Sequence, residues 1–216
     1  MVEKLKLGRL IRTSIVLSLV TMLLLGVVIP TATAFISENV DRYGANGSQV
    51  HLDGKVYGSY LLAQAFNESY FFQPRPSAIN YNETQSGSIC CSPNTNASIN
   101  LTEKNLRNFE EMNPNITLSQ IPGEAIMDSD SGLDPNVPLS LALLEEPRVA
   151  KALENLGNKS GVSLAGIGVQ IMHLINTSKK QNFPIFGSYY VNTMYLDVNI
   201  IEILLNKGVI NQSSLD

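Results

Sequence analysis

The chain has 216 residues and a mass of 23.6 kDa, enough for one domain of ordinary size with one added element, which excludes a large multidomain enzyme. Apolar residues make up 44% of it and charged residues only 16%, against about a quarter in ordinary domains. The first twelve residues hold four basic residues and one acidic residue, so the remainder carries a net charge of −7. An acidic body without a basic stripe argues against nucleic acid as the partner.

The apolar residues are concentrated near the N-terminus, where residues 13–37 carry no charge. About 23 such residues, at 1.5 Å each, could cross the ~30 Å hydrocarbon layer as one helix. Basic residues precede this run, and Glu38 and Asp41 follow it. The asymmetry predicts a cytoplasmic basic head at residues 1–12, a membrane helix at residues 13–36 and an extracytoplasmic remainder.

A cleaved signal peptide is the alternative interpretation of this run. Ala32-Thr33-Ala34 has the small-x-small pattern that signal peptidases accept. The apolar stretch from Ser14 to Ile29 is slightly longer than a usual signal core of about 7 to 15 residues, which favours an uncleaved anchor. Both interpretations send the rest of the chain outward.

The acceptor pattern for N-glycosylation, Asn-x-Ser/Thr, occurs nine times, against about three expected by chance from the composition. All nine occurrences follow the apolar run: Asn46, Asn67, Asn82, Asn96, Asn100, Asn115, Asn158, Asn176 and Asn211. A surface rich in Asn and Ser could also produce such patterns without modification. The protein is therefore a possible glycoprotein, and we expect no modified Asn to lie in a protein interface.

The exterior portion begins with a linker at residues 37–47 and continues as a mixed α/β (α+β) domain at residues 48–216. Asp53-Gly54, between Val50 and Val56, predicts a β-hairpin. Residues 74–100 are rich in Pro, Ser, Asn and Gly and predict an irregular segment. YYVNTMYL, beginning at residue 189, predicts a strand.

Helical patterns follow the irregular segment. Asn100 is predicted to cap a helix over residues 101–112, and Pro147 is predicted to break or restart a helix over residues 139–156. A further helix is predicted over residues 163–177, and a closing one is predicted to end at Gly208.

Motifs for metal binding or catalysis are weak in this chain. The acidic stretch from Asp128 to Gly132 places its Gly one position too early for a calcium loop. His51 and His173 have no neighbouring zinc ligands in the sequence. No GxSxG elbow or Walker loop occurs, and loop serines are more often turn residues than nucleophiles. We therefore expect no catalysis by this chain alone and no bound metal.

The adjacent residues Cys90 and Cys91 do not form a framework of disulfides. A disulfide between neighbouring cysteines demands strained geometry, so two thiols, or pairing between chains, are the commoner outcomes.

Five motifs stand in a recognisable order: GSYLLAQAF from residue 58, FFQPRPSA from 71, SDSGLDP from 129, EEPRVAKA from 145 and YVNTMYLDVN from 190. Together they resemble the C subunit of the Kdp potassium-transporting P-type ATPase. The resemblance runs from the N-terminal helix to about residue 206, and an ordered set of five motifs is more specific than any single one.

The resemblance implies a non-catalytic accessory subunit of an ATP-driven, high-affinity potassium uptake complex. Its implied partners are a potassium-translocating subunit, a P-type ATPase subunit, a small membrane peptide and the lipid bilayer. ATP and potassium then belong to the complex as a whole. The alternative is an autonomous, membrane-anchored surface protein that binds or hydrolyses a ligand without partners.

The family's motifs carry over onto individual positions of this chain, which become candidates for interface or motif roles. They are Gly58, Ser59, Gln64, Phe66, Phe72, Arg75, Pro76, Ser77, Ser131, Gly132, Asp134, Pro135, Arg148, Lys151, Asn192 and Asn199. Ala63 replaces a family Gly, and a serine-rich family segment is poorly kept at SGSICCSPN. Arg75 offers a planar fork for carbonyl or carboxylate oxygens.

Glu145 stands where the family has a Gln that has been linked to nucleotide binding. By resemblance it is the candidate nucleotide-linked position, although an outer domain lies on the wrong side of the membrane for direct contact with ATP. An indirect route, through packing on the translocating subunit, is therefore preferred.

Overall fold

The computed structural model describes residues 7–52, 54–88, 94–183 and 186–211. The sequence expectations about Asp53, Cys90, Cys91 and the first half of the basic head lie outside these residues. The chain divides into two units, residues 1–49 and 50–216. Its mixed helix and strand content, behind one apolar N-terminal helix, confirms the predicted fold class.

The first unit consists mainly of a helix of 34 residues, Leu7–Val40, which is long and apolar enough to cross a membrane. It comprises α1 (Leu7–Leu23), a π-helical turn (Leu24–Val28) and α2 (Ile29–Val40), and the short α3 (Arg42–Ala45) follows. The π-helical turn ends two residues before Pro30, which donates no N–H to the turn before it. The predicted membrane segment lies entirely within this helix.

The second unit contains two small sheets and four helices among its described residues. Its elements, in chain order, are β1 (Gln49–Leu52), β2 (Lys55–Ser59), α4 (Asn96–Met112), β3 (Asn136–Pro138), α5 (Leu139–Ser160), α6 (Ile167–Ser178), β4 (Lys180–Gln181), β5 (Tyr189–Asn192) and α7 (Thr193–Asn206). Two 3-10 turns, Leu118–Gln120 and Gly123–Ala125, lie between α4 and β3.

β1 and β2 form a two-stranded sheet, which agrees with the predicted hairpin. Gly54 has a positive φ of 81°, the left-handed conformation that such a turn requires. Residues 74–88 form turns without a helix or strand, as expected.

The predicted start of α4 was wrong by several residues. The helix begins at Asn96, and the side chain of Thr95 caps it by accepting from the backbone N–H of Ser98. Asn100 lies inside the helix. Its end at Met112, before Asn113-Pro114, agrees with the prediction.

Pro147 neither breaks nor restarts α5, which runs through it to Ser160. Pro147 removes the hydrogen bond to the Leu143 carbonyl. Both residues are exposed, so water can satisfy that oxygen, and the buried face of the helix is unaffected. The next helix, α6, begins four residues later than predicted, because Gly166 adopts a left-handed φ of 78° directly before it.

The predicted strand at residues 189–196 is half strand and half helix. Asn192 ends β5 and caps α7, since its side chain accepts from the backbone N–H of Tyr195 at 2.9 Å. β5 is the centre of a three-stranded antiparallel sheet with the order β3-β5-β4. Gly208, with a φ of 69°, follows the end of α7 as predicted.

The core of the second unit lies between α5, α6, α7 and the three-stranded sheet. Side chains that are less than 2% exposed include Phe72, Val137, Val149, Leu153, Ile171, Ile175, Val191, Leu196, Ile200 and Leu204. Phe72 comes from residues 60–88, which follow β2 without a helix or strand and which we call the irregular segment from here on. This segment is therefore packed into the core.

Candidate functional site

Arg148 lies at the centre of a buried polar network in the second unit. Its guanidinium donates to the Glu145 carboxylate at 2.9 Å and to Asn113 Oδ1 at 3.0 Å. It also donates to the backbone carbonyls of Ser69 at 2.6 Å and Phe71 at 3.1 Å. Helix α5 thereby holds both the end of α4 and the irregular segment.

Two carboxylates hold consecutive backbone N–H groups of that segment. Phe72 donates to Asp197 Oδ1 at 2.8 Å, and Gln73 donates to Glu145 Oε2 at 3.1 Å. Both acidic side chains are 0% exposed. Because Phe72 is itself fully buried, the carboxylates fix the point at which the segment enters the core.

Burial raises the pKa of both acidic groups, but the neighbouring charge lowers it for Glu145 and raises it further for Asp197. Desolvation raises the pKa of Glu145, and the charge and hydrogen bond of Arg148 oppose this shift. Desolvation raises the pKa of Asp197 well above its usual value, and the nearby charge of Glu145 adds to the shift. Asp197 Oδ2 has no hydrogen-bond partner among the described residues. Ionising Asp197 is therefore more costly in the folded chain than in water.

Glu145 presents no surface to a ligand from solution, because its side chain is fully buried. Its carboxylate oxygens bond to Gln73 and Arg148. The nucleotide-linked role implied by resemblance stays a prediction, and any such role would have to act through the packing that Glu145 supports.

A second cluster joins the family motifs around Arg75 and Asp134. An ion pair connects Arg75 to Asp134 at 3.6 Å, and Arg75 donates to the Asp128 carbonyl at 3.3 Å. Ser129 N–H donates to the Pro76 carbonyl at 3.0 Å. These bonds tie the RPSA segment to the SGLDP segment.

Two adjoining clefts lie on either side of this cluster, with volumes of about 560 and 350 Å³. Arg75, Asp134 and Asn136 line both. Ser131 and Pro135 line the larger cleft only, with Leu61 at its edge. We refer to the two together as the double cleft.

Loop serines of the family motifs stabilise turns. Ser59 Oγ accepts from Leu61 N–H at 3.0 Å, and Ser131 Oγ accepts from Leu133 N–H at 3.1 Å. Ser77 Oγ accepts from Tyr81 N–H at 2.9 Å. Burial raises the pKa of Tyr81 to about 12, and its hydroxyl donates to the Arg75 carbonyl.

The motif glycines permit close approaches. At Gly132, with a φ of 70°, an added Cβ would lie 2.9 Å from the Gly87 carbonyl oxygen. At Gly58 it would lie 2.7 Å from Gln64 Cδ, and Gln64 in turn donates to Glu83 at 2.8 Å. Phe66 packs on the ring of Phe71 with centroids 4.8 Å apart.

Of the remaining motif residues, Asn192 and Asn199 make hydrogen bonds inside the second unit, and Lys151 is exposed. Asn192 donates to the Tyr60 carbonyl at 2.7 Å, which ties α7 to the end of the hairpin. Asn199 donates to the Tyr195 carbonyl within α7. Lys151 is exposed and lines a groove of about 690 Å³ along α5, together with Leu143, Pro147 and Asn115.

Sequence reasoning missed several of these groups. Asp197 lies inside a quoted motif, but it was not singled out, although an acid between apolar residues such as Leu196 and Val198 is a usable signal of a buried carboxylate. Asn113 was taken only as a helix end, and Ser129 only as part of an acidic loop. His51 and His173 are both exposed, and no group of three potential metal-ligating side chains occurs in the part of the chain that the structure describes.

All nine Asn residues of the glycosylation pattern are exposed. Among the Asn residues outside the pattern, five are buried or half-buried: Asn105, Asn113, Asn136, Asn192 and Asn199. The pattern thus falls only on side chains that an enzyme could reach, as expected for a modified surface.

We expect the protein from its native membrane to run heavier than 23.6 kDa and to shift on chemical deglycosylation. Intact-mass spectrometry before and after treatment measures the change, and peptide mapping identifies the modified Asn residues. The same chain made in a host without the modifying enzymes is the control. An unmodified native mass would contradict the expectation.

The family model described as "K+-transporting ATPase, c chain" matches residues 11–202. The potassium-transporting ATPase KdpC subunit of Thermoplasma volcanium is 50% identical over 197 residues, which cover 91% of this chain and 93% of the relative. The KdpC subunit of Thermoplasma acidophilum is 45% identical over 202 residues, with 94% and 97% covered. The KdpC subunit of Caldanaerobacter subterraneus is 32% identical over 197 residues, with 90% and 96% covered.

The family model takes in most of the apolar helix, both motif clusters and α7 as far as residue 202. The matches agree with the resemblance that the ordered motifs predicted. The chain belongs to the KdpC family of potassium-transporting ATPase subunits.

Proposed function

We propose that this chain is the non-catalytic accessory subunit that stabilises the assembly of a potassium-translocating subunit and a P-type ATPase subunit, and that supports potassium-stimulated ATP hydrolysis. The observation that carries the proposal is the match of residues 11–202 to the family, which spans the helix and the second unit together.

The same proposal includes the topology of the chain. Residues 13–36 remain as an uncleaved anchor with the basic head at residues 1–12 in the cytoplasm, residues 37–47 act as a linker, and residues 48–216 lie outside. The charge asymmetry around the apolar run supports this orientation. The nine exposed glycosylation patterns, all beyond the run, support it independently.

The structure offers a physical reason for a supporting role. The irregular segment contains the motif residues Phe72 and Arg75. Its backbone is held by hydrogen bonds to Arg148 and to the carboxylates of Glu145 and Asp197. A rigid surface loses little conformational entropy when a partner binds it, so it favours assembly. Such a subunit acts on ATP hydrolysis by biasing the conformations of its partners.

Purification through a C-terminal tag from membranes of potassium-starved cells tests the proposal. We expect translocating and ATPase subunits, and a small membrane peptide, to co-elute with ATPase activity that rises with potassium. A matched strain without the tag is the control. A lone, monodisperse chain after gentle detergent would contradict the proposal and favour the autonomous surface protein.

A further inference from the structure

The groove along α5 has a volume of about 690 Å³, within the range of about 300–1,000 Å³ that is usual for ligand sites. Apolar side chains, half-buried or exposed, make up much of its lining: Tyr70, Met112, Ile116, Leu143, Leu144 and Leu156. The exposed polar side chains of Lys151 and Asn155 line it as well. A contiguous apolar surface of this kind on the outside of a folded unit usually has an occupant that covers it.

Three of the nine acceptor sites for N-glycosylation lie at this groove. Asn115 lines it, and Asn67 and Asn158 directly precede two other lining residues, Glu68 and Lys159. All three Asn side chains are exposed. The two parts of the double cleft, in contrast, have none of the nine acceptors in their lining. The distribution of acceptor sites therefore indicates a sugar chain as the occupant of the groove.

Asn115 is the acceptor best placed to fill the groove, because its neighbours fix its position. It lies in a turn that the Ile116 N–H closes by donating to the Asn113 carbonyl at 3.1 Å. Asn113 is 4% exposed, and its side chain accepts from Arg148 Nε at 3.0 Å. Ile116 packs against the core. A sugar chain on Asn115 therefore starts from a fixed point at the groove, and such tethering raises its effective concentration there.

The lining of the groove suits the chemistry of a sugar chain. Sugar rings present C–H groups on their faces and hydroxyl groups at their edges. The apolar side chains of Tyr70 and Leu144 suit the faces, and Lys151 and Asn155 can donate hydrogen bonds to the hydroxyl oxygens. Ligand sites are commonly built in this way, from apolar walls with a few polar groups that fix the orientation of the ligand.

We propose that Asn115 is glycosylated and that its sugar chain lies in the groove along α5, where it covers the apolar lining and excludes a protein partner from this face. The inference rests on the outward topology in the proposed function, but it does not require the complex. It adds a modified residue, the place where the modification binds and the face of the second unit that neighbouring subunits leave free.

Chemical labelling of lysines tests where the sugar chain lies. Lys151 and Lys159 are exposed and line the groove, and Lys180, exposed on β4, is the reference. The full chain from its native host, and the same chain from a host without the modifying enzymes, react in detergent with an amine-reactive reagent, and mass spectrometry measures the labelling of each lysine. A sugar that occupies the groove about two-thirds of the time slows the labelling of both groove lysines about 3-fold. We expect at least this protection in the native chain and equal labelling of Lys180 in both.

Variants made in the native host assign the protection to one acceptor. Asn115→Gln removes the acceptor and keeps an amide at an exposed position, so Lys151 and Lys159 should label as fast as in the unmodified chain. Asn176→Gln, at an exposed acceptor on α6 outside the lining of the groove and of the double cleft, is the matched control and should keep the slow labelling. Thr117→Ser preserves the acceptor pattern at Asn115 and should keep it too.

The outcomes distinguish this inference from the proposed function. An unmodified Asn115 in peptide maps of the native chain overturns the inference. So does a modified Asn115 without protection of Lys151, because the sugar chain then extends into solvent. Protection that persists in Asn115→Gln also overturns it, since a protein partner then covers the groove. In all three cases the accessory role stands, because co-purification of the subunits tests it separately. If no subunit co-purifies but Asn115→Gln abolishes the protection, the accessory role fails and this inference stands.

Discussion

Arg148→Met is expected to lower the free energy of unfolding of the second unit by about 3–5 kcal/mol, because it breaks a buried ion pair and leaves the partner charge uncompensated. Methionine keeps the length of the side chain and loses all four of its hydrogen-bond partners. Glu145 then stays buried without a cation, and the carbonyls of Ser69 and Phe71 lose their donor. Denaturant unfolding of the full chain in detergent, followed by the near-ultraviolet circular dichroism of its tyrosines, measures the loss.

Lys151→Met is the matched control, since Lys151 belongs to the same motif and the same helix but is exposed. Its removal is expected to change the free energy of unfolding by less than about 0.5 kcal/mol. Arg148→Lys should recover little of the lost stability. One ammonium group cannot reach Glu145, Asn113 and the carbonyls of Ser69 and Phe71 together, as the guanidinium does. Equal losses for Arg148→Met and Lys151→Met would show that the network does not stabilise the fold.

Asp197→Asn is expected to stabilise the second unit at pH 8 by about 1 kcal/mol or more, because a neutral amide replaces a buried carboxyl that is costly to ionise. Asparagine keeps an oxygen for the Phe72 N–H and removes the charge. The pKa of Asp197 is raised in the native state from the usual 3.8, so the native state binds more protons than the unfolded state above that pH. The native chain therefore loses stability as the pH rises through the raised pKa, and the stability of the variant changes less.

The difference between the native chain and Asp197→Asn should shrink as the pH falls from the raised pKa towards 3.8, because the carboxyl is then protonated in the native state and still ionised in the unfolded state. Below that range the carboxyl is neutral in both states and the difference stays constant. Glu145, whose pKa is also raised, contributes a slope of the same sign in both proteins. Glu202→Gln, at an exposed position on α7, is the control and should show no such pH dependence. A constant difference from pH 4 to pH 8 would contradict the assignment of a raised pKa to Asp197.

Local signals in the sequence predicted the elements that local chemistry determines. Asp-Gly fixed the hairpin, Asn113-Pro114 fixed the end of α4, and Gly208 fixed the end of α7. The predicted start of α4 was wrong because two nearby residues could each cap the helix. Thr95 and Asn100 can both cap a helix, and the sequence does not choose between them; in the structure Thr95 is the cap. Pro147 was misjudged because its cost depends on exposure, which the sequence does not show.

The bonding partners in the candidate sites could not be predicted in the same way. The bond from Phe72 to Asp197 joins residues 125 positions apart, and no local pattern connects them. The motifs identified Arg75, Asp134 and Arg148 as residues of interest, but they did not reveal that Arg148 is structural and that Arg75 faces an open cleft. Ser129 carries no signal at all in the sequence, because a serine in an acidic loop is ordinary.

The long sequence separations within the buried network also set an order of events during biogenesis. Phe72 precedes every helix of the second unit in the chain, yet its N–H finds its acceptor only on α7, after α4, α5 and α6. Closing such long loops is slow, and a chain that still lacks α7 exposes the surface of Phe72 to water. A nascent chain therefore remains open to proteases and chaperones until residue 197 has emerged, so only a translation product that already includes α7 can present a finished surface for assembly.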